Sequence, residues 1–160
     1  QYGTDALRMA LIVGVGPGSD SKLGNDKLKA YKNFANKVWN IARYVLSQEN
    51  QGELKKELVE EFDTMAKDIT VDMDNFRFYL AAEKIYHYIW HRLADEILEE
   101  SKKDPSLLPT TYYLLQNSLK LLHPFMPFIT EEIWSELPIK NKKMLMIENW
   151  PFDSAQGKPV

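Results

Sequence analysis

The sequence predicts an all-α fold, a bundle of about five helices with largely antiparallel neighbours. In five long segments the apolar residues recur three or four positions apart, which is the period of a helix. Short clusters of Gly, Pro, Asn and Asp separate these segments, and only Met144 to Ile147 resembles a short strand. At 160 residues, such a chain can bury a sizeable core as one helical domain.

A short helix is predicted first, over Asp5 to Ile12, with Thr4 or Asp5 as its N-cap. The glycine-rich segment of residues 14–18 ends this helix. Its spacing, G-x-G-P-G, matches neither the dinucleotide fingerprint nor a P-loop, so we interpret it as an ordinary loop.

The first long helix is predicted over Asp26 to Ser47, and it has two different faces. One stripe is apolar and suits a core: Phe34, Val38, Ile41 and Val45. A second stripe, about 100° round the helix, carries amides, a cation and a ring: Asn33, Lys37, Asn40 and Tyr44. Asn36 and Arg43 flank this second stripe, and no carboxylate lies on it. Such a face suits single-stranded RNA, and the alternative is that it packs against another helix.

Four further helices complete the prediction: Glu53 to Ile69, Phe76 to Lys103, Thr110 to His123, and Pro127 to Leu137. The aromatic helix that begins at Phe76 is apolar over more than half of its circumference, so we expect it to lie centrally. Pro124 and Pro127 cannot both lie inside one helix, so the chain should kink between the last two helices. Residues 152–160 are predicted to be a disordered tail.

Composition excludes several classes of site. The chain has no cysteine, which excludes disulfides, zinc–thiolate sites and thiol nucleophiles. No apolar run is long enough to span a bilayer, so we expect no membrane partner and a cytoplasmic protein. His87 and His91 have a metal-ligand spacing on a helix, but neither a catalytic Glu nor a third ligand accompanies them, and we predict no metal site.

Net charge is −3, yet the positive charge is concentrated. Between residues 22 and 43, six basic residues accompany the single acid Asp26: Lys22, Lys27, Lys29, Lys32, Lys37 and Arg43. The local potential of this helix therefore favours an anionic partner more than the net charge does.

Four motifs in this order resemble one family: YGTDALR (2–8), NFANKVWN (33–40), FRFYLAAEKIYHYIW (76–90) and LLHPFMPFITEEIW (121–134). They are similar to the C-terminal part of class I aminoacyl-tRNA synthetases of the valine, isoleucine and leucine group, and most of all to the valine-specific members. The resemblance covers about residues 2–151. It implies that residues 1–22 end a stem-contact region after the catalytic domain, and that residues 23–151 form a helical anticodon-binding domain.

The resemblance also implies a partner and a site. The partner is tRNA, held by its anticodon stem-loop, and we expect a monomer. The tRNA-binding residues carried over from the family are Asn33, Lys37, Asn40, Arg43, Tyr44, Asp95 and Leu98, with Lys29 and Lys32 as neighbouring phosphate contacts. The catalytic signatures of HIGH and KMSKS type are not in this sequence, so we predict no catalytic residue and no cofactor here. ATP would be used by the catalytic domain of a longer parent enzyme that attaches valine to tRNA(Val).

Two alternatives accompany this interpretation. The domain could belong to an isoleucyl- or leucyl-type synthetase, because the amino-acid pocket lies outside this sequence. It could also be a helical protein-interaction module without RNA binding, in which the amide-rich face of the first long helix docks a partner helix.

Overall fold

The computed structural model describes residues 1–16, 18–20, 23–153 and 158–159, and it shows a helical bundle. The helices are α1 (Thr4–Ile12), α2 (Asn25–Leu46), α3 (Lys56–Asp74), α4 (Phe78–His87), α5 (Leu98–Ser101), α6 (Leu108–Leu122) and α7 (Pro127–Glu136). A π-helical segment, Tyr88–Ile97, joins α4 to α5, and short 3₁₀ turns lie at Pro105–Leu107 and Leu145–Ile147. The predicted all-α bundle is therefore confirmed. Pro17 and Lys22 of the sequence arguments above lie outside the described residues.

Helix α6 lies at the centre and packs against α2, α3, α4 and α7. Its residues Leu114, Leu119 and Leu122 are fully buried. The apolar stripe predicted for the first long helix is buried as expected: Phe34, Val38, Ile41 and Val45 are at most 2% exposed. Burial of these aliphatic and aromatic side chains supplies the main stabilisation of the bundle.

The run from α4 to α5 is one continuous helical element, as the sequence predicts for Phe76 to Lys103. Its middle, however, is π-helical: the Leu98 N–H donates to the Leu93 carbonyl, five residues back. The wider turn changes the angular spacing of side chains along the helix. Periodicity at 3.6 residues per turn could not reveal this, because the apolar residues stay on the buried side in either geometry.

Helix α2 and the α4–α5 run point in the same direction. The Tyr31 ring meets the Tyr86 ring, Lys37 meets Asp95, and further along the Tyr44 ring meets Lys102. Helix α3, which lies between these two elements in sequence, packs antiparallel to the α4–α5 run, with Glu61 paired with Arg92 near its start and Asp72 with Arg77 and Lys84 near its end. The expectation of antiparallel neighbours thus holds for α3 and the α4–α5 run but not for α2 and that run, which form the groove described below.

The turn from α3 to α4 depends on a buried carboxylate and on one strained residue. The Asp72 side chain is 3% exposed and contacts Arg77 Nη2 at 2.8 Å and Lys84 Nζ at 2.7 Å. Phe76 has φ +58° and is 80% exposed. The N–H groups of Phe76 and Arg77 donate to the carbonyls of Met73 and Asp72. This is a Schellman motif with phenylalanine where glycine is usual.

Contacts between α1 and α7 fix the break that the sequence predicts around Pro124 and Pro127. The Asp5 carboxylate accepts from the N–H groups of Phe128 and Ile129 at the start of α7, with N–O distances of 3.3 and 2.7 Å. It therefore caps α7 rather than α1, where we predicted a cap. The Arg8 guanidinium donates to the Pro124 carbonyl at 2.9 Å. These bonds satisfy backbone groups that two prolines leave without helical partners.

The C-terminal segment differs from prediction in two places. The strand expected over Met144 to Ile147 is wrong, because residues 145–147 form a 3₁₀ turn that buries Leu145. Residue 152 does not begin a disordered tail: Phe152–Asp153 pairs antiparallel with Lys158–Pro159, and the Phe152 side chain is buried. Tail residues 154–157 and 160 lie outside the described part.

Two negative findings apply to the described ranges. No helix in them combines the length and apolarity needed to cross a bilayer. The rings of His87 and His91 stack at 5.6 Å, but within these ranges no three His, Cys, Asp or Glu side chains are grouped so as to hold a metal ion.

Candidate nucleic-acid interface

An open groove of about 410 Å³ runs between α2 and the α4–α5 run. Six residues of α2 line one wall: Asn33, Asn36, Lys37, Asn40, Ile41 and Tyr44. Five residues line the other wall: Ala94, Asp95, Leu98, Glu99 and Lys102. We call this feature the α2 groove. It brings together six of the nine predicted site residues, namely Asn33, Lys37, Asn40, Tyr44, Asp95 and Leu98.

The spacing of side chains explains why the sequence builds this groove. Asn33, Lys37, Asn40 and Tyr44 recur every three or four residues, so they share one face of α2. On the facing wall, Asp95, Glu99 and Lys102 follow the same spacing. The π-helical segment includes the first part of that wall, Ala94 and Asp95, and ends just before Leu98, so its wider turn sets where Asp95 and Leu98 meet α2.

Lys37 is the centre of the polar contacts in the α2 groove. Its Nζ lies 2.6 Å from Asp95 Oδ1 and 4.3 Å from the centroid of the Trp90 ring. The hydrogen bond from Lys37 is the main reason that the pKa of Asp95 is lowered, and His91 acts in the same direction. Asp95 therefore stays ionised at neutral pH and can only accept hydrogen bonds. Its side chain is 50% exposed, so a ligand can reach it.

Tyr44 stands at the far end of the α2 groove and is half-buried. The Nζ atom of Lys102 lies 5.5 Å from the centroid of its ring, and Lys102 also pairs with Glu99. Leu98 is only 7% exposed, so it offers an apolar edge at the base of the groove. A half-buried ring beside an apolar floor and a cation is a suitable stacking site for a nucleobase.

The other three predicted residues lie outside the α2 groove. Arg43 is exposed and lines a neighbouring groove of about 610 Å³ with Trp39, Leu46 and Glu136. Lys29 is exposed one helical turn before Asn33. Lys32 is exposed, and its Nζ lies 3.3 Å from the carbonyl oxygen of Gln1. These cations border the groove and do not touch its floor.

Three residues of this region were missed from the sequence: Trp90, Glu99 and Lys102. Asn36 was placed beside the polar stripe of α2 but was not among the predicted site residues, and the structure puts it in the wall of the groove. Glu99 and Lys102 follow Asp95 by four and seven residues, so helical spacing could have added them as well. Trp90 was missed because an indole on an apolar helix indicates a core residue, and only the structure shows the Lys37 cation above it.

The helical fold and the polar groove together are typical of a class of RNA-binding domain. Residues 55–158 match the family described as "Anticodon-binding domain of tRNA ligase", and the chain belongs to this family. The match includes Asp95, Leu98 and Lys102, whereas α2 lies before it.

Individual relatives indicate a particular kind of tRNA ligase. The chain is 40% identical over 155 residues to the valine–tRNA ligase of Dehalococcoides mccartyi, with 86% of the chain and 17% of the relative covered. It is 35% identical to that of Thermotoga maritima, with 94% and 19% covered. It is 34% identical to that of Campylobacter jejuni, with 100% and 20% covered. The chain thus spans about a fifth of the length of these relatives.

A solved structure supports the fold. A LeuRS of Agrobacterium radiobacter, determined as a ternary complex with tRNA and LeuAMS, superposes with a TM-score of 0.72 at 20% identity. The superposition covers 97% of this chain and 20% of that one. Among the alternatives from the sequence, the family and its relatives favour the anticodon-binding interpretation over a protein-interaction module, and the valine type over the isoleucine or leucine type.

Proposed function

We propose that this chain binds the anticodon stem-loop of tRNA(Val), and that unpaired nucleotides of the loop enter the α2 groove. The observation that carries the proposal is the composition of that groove. It combines amides, a cation, a carboxylate and a tyrosine ring on two facing walls. Unpaired bases are recognised by these chemical groups, through stacking and through hydrogen bonds to their edges.

In this proposal Tyr44 stacks on one base, and Leu98 supplies apolar contact beneath it. Stacking on an aromatic side chain contributes about 1–3 kcal/mol per base. Because any base has a stackable face, this contact gives affinity and little discrimination. Its contribution depends on the ring and hardly on the phenol hydroxyl.

Discrimination between bases is the role of Asn33, Asn40 and Asp95. An amide offers both a donor and an acceptor, whereas the ionised Asp95 accepts only. A base that presents an amino group towards Asp95 is therefore favoured, and one that presents a carbonyl oxygen there is disfavoured. A mismatched edge leaves a polar group that the bound base covers without a partner, which costs about 1–3 kcal/mol.

The cations around the groove contact phosphates. Lys37, Arg43, Lys29 and Lys32 all lie on α2, and the last three are exposed. Phosphate contacts of this kind release counterions, so affinity should fall steeply as salt concentration rises. Arg43 borders a separate groove, and we propose that it follows the RNA backbone past the end of the α2 groove.

The parent enzyme, in this proposal, attaches valine to tRNA(Val) with ATP at a site outside the chain. The bundle would hold the anticodon at a fixed position while the acceptor end reaches that distant site. A monomer in the cytoplasm is the assembly and location that we propose with it.

The test is a titration with two RNAs. One is the anticodon stem-loop of tRNA(Val), and the other differs only in the middle anticodon base. The proposal expects tighter binding of the first RNA, and for both a loss of affinity between low and high salt. Equal affinities would remove the specificity claim, and affinities that do not respond to salt would remove the phosphate contacts.

A further inference from the structure

Trp90 lies beside the α2 groove in an unusual environment. The buried Phe34 ring stacks against it from the core side, with 6.0 Å between centroids and 25° between planes. On the groove side, the Lys37 ammonium lies 4.3 Å from the centroid of the indole. Trp90 is only partly buried, so the Lys37 side chain provides part of its cover.

The contacts that keep Lys37 in this position are easily exchanged. Its ammonium is shared between the indole and the Asp95 carboxylate, whose side chain is 50% exposed. Ion pairs this accessible are weak, because water competes for both partners. A phosphate that enters the groove offers Lys37 a second anionic partner, and the release of counterions from the RNA favours movement of Lys37 off the ring.

We infer that Lys37 covers Trp90 in the free protein, and that RNA binding draws Lys37 onto a phosphate and uncovers Trp90 as a second stacking surface. This inference rests on the proposed function. Lys37 and Tyr44 are seven residues apart on α2, which is about 10 Å along the helix axis. Because Trp90 lies against Lys37, the Trp90 and Tyr44 rings are offset by a similar distance along α2. Two rings spaced in this way can hold two bases splayed apart, which is how unpaired loops are commonly bound.

Removal of Lys37 from the ring also frees Asp95. Its carboxylate then has His91 Nδ1 at 3.5 Å as its remaining partner and can accept a hydrogen bond from a base. One movement therefore supplies a phosphate contact, an aromatic surface and an acceptor. The free protein, by contrast, presents none of the three in full.

Indole fluorescence tests the inference directly. The stem-loop of tRNA(Val) is titrated into the wild-type chain, Trp90→Phe and Trp150→Phe, while anisotropy of labelled RNA reports binding independently. Trp150 is the matched control, because it is also half-buried but its indole donates to Thr70 of α3, away from the α2 groove. We expect RNA to quench the wild-type and Trp150→Phe emission and to quench that of Trp90→Phe much less. Because phenylalanine still stacks, Trp90→Phe should bind RNA within about threefold of wild type, whereas Trp90→Leu should bind about tenfold more weakly.

A second arm needs no RNA. Acrylamide quenching is compared among the wild-type chain, Lys37→Ala and Lys67→Ala, where Lys67 is an exposed lysine on α3. In Lys37→Ala, acrylamide should quench the Trp90 emission more than it does in wild type; this is the part of the emission that is lost in Trp90→Phe. Lys67→Ala should match wild type. Equal quenching in Lys37→Ala and wild type would overturn the inference.

The outcomes separate this inference from the proposed function. RNA binding with the same quenching in Trp90→Phe as in wild type would overturn the role of Trp90 and leave the anticodon proposal standing. No RNA binding by the wild-type chain would overturn both.

Discussion

Replacement of Asp72 should destabilise the bundle more than any other single change of a carboxylate to an amide in α3. Its side chain is 3% exposed and contacts two cations, Arg77 at 2.8 Å and Lys84 at 2.7 Å. Both cations are 40–45% exposed, so they can regain water when the carboxylate is lost. The cost of Asp72→Asn should therefore lie below the 3–5 kcal/mol typical of a broken buried pair, at about 2–3 kcal/mol.

Thermal unfolding, followed by circular dichroism, measures this cost. In a domain of this size each kcal/mol shifts Tm by about 2–4 °C, so Asp72→Asn should lower Tm by about 4–12 °C. Asp74→Asn is the control: Asp74 is exposed at the C-terminal end of the same helix, where a negative charge opposes the helix dipole. The Tm of Asp74→Asn should equal that of wild type or be slightly higher. Equal Tm values for Asp72→Asn and Asp74→Asn would refute the idea that the buried carboxylate holds α3 to α4.

Three further predictions concern other parts of the chain. Tyr44→Ala should keep its helical circular dichroism and bind the tRNA(Val) stem-loop about 5–150-fold more weakly, which corresponds to about 1–3 kcal/mol of stacking. The control Tyr44→Phe should bind like wild type. A loss of helical signal in Tyr44→Ala would show instead that the ring is a core residue. Phe76→Gly should raise the free energy of unfolding by about 0.5–1 kcal/mol. The reason is that phenylalanine is strained at φ +58°, and relief of this strain exceeds the entropic cost of fixing a glycine. A lower urea midpoint in Phe76→Gly would mean that the lost edge-to-face contact with Phe78 outweighs the strain. Burial lowers the pKa of His123, so the unfolded chain binds more protons than the folded chain between about pH 6.5 and that lowered pKa. The free energy of unfolding should therefore fall as the pH drops through this range. In urea titrations at pH 7 and pH 5, His123→Asn should show a smaller fall than wild type.

The helices and their order follow from the sequence because apolar spacing decides which side of a helix is buried. The stripe of Phe34, Val38, Ile41 and Val45 is fully enclosed, and the break at Pro124 and Pro127 occurs where two missing N–H groups require it. Helix ends were less accurate. α3 continues to Asp74, because cap residues such as Thr70 are buried by tertiary contacts, here with the Trp150 indole.

The polar face of α2 was also evident from spacing, but its opposite wall was not. That wall depends on which helix packs beside α2 and on a π-helical turn, and neither leaves a periodic pattern in the sequence. The carboxylates of Asp95 and Glu99 consequently enter a groove that α2 alone would make purely cationic. The position of Arg43 could not be predicted for the same reason: helical spacing places it beside the polar stripe of α2, but the packing of the bundle puts it in a different groove.

The account depends above all on where RNA contacts the bundle, and backbone amide chemical-shift mapping measures that most directly. Titration of isotope-labelled chain with the tRNA(Val) stem-loop should shift the amides of residues 33–44 and 94–102 most. The outer face of α3, around Glu57 and Glu60, should hardly change. Shifts concentrated on α3, or spread evenly over the bundle, would contradict the assignment of the α2 groove as the RNA-binding surface.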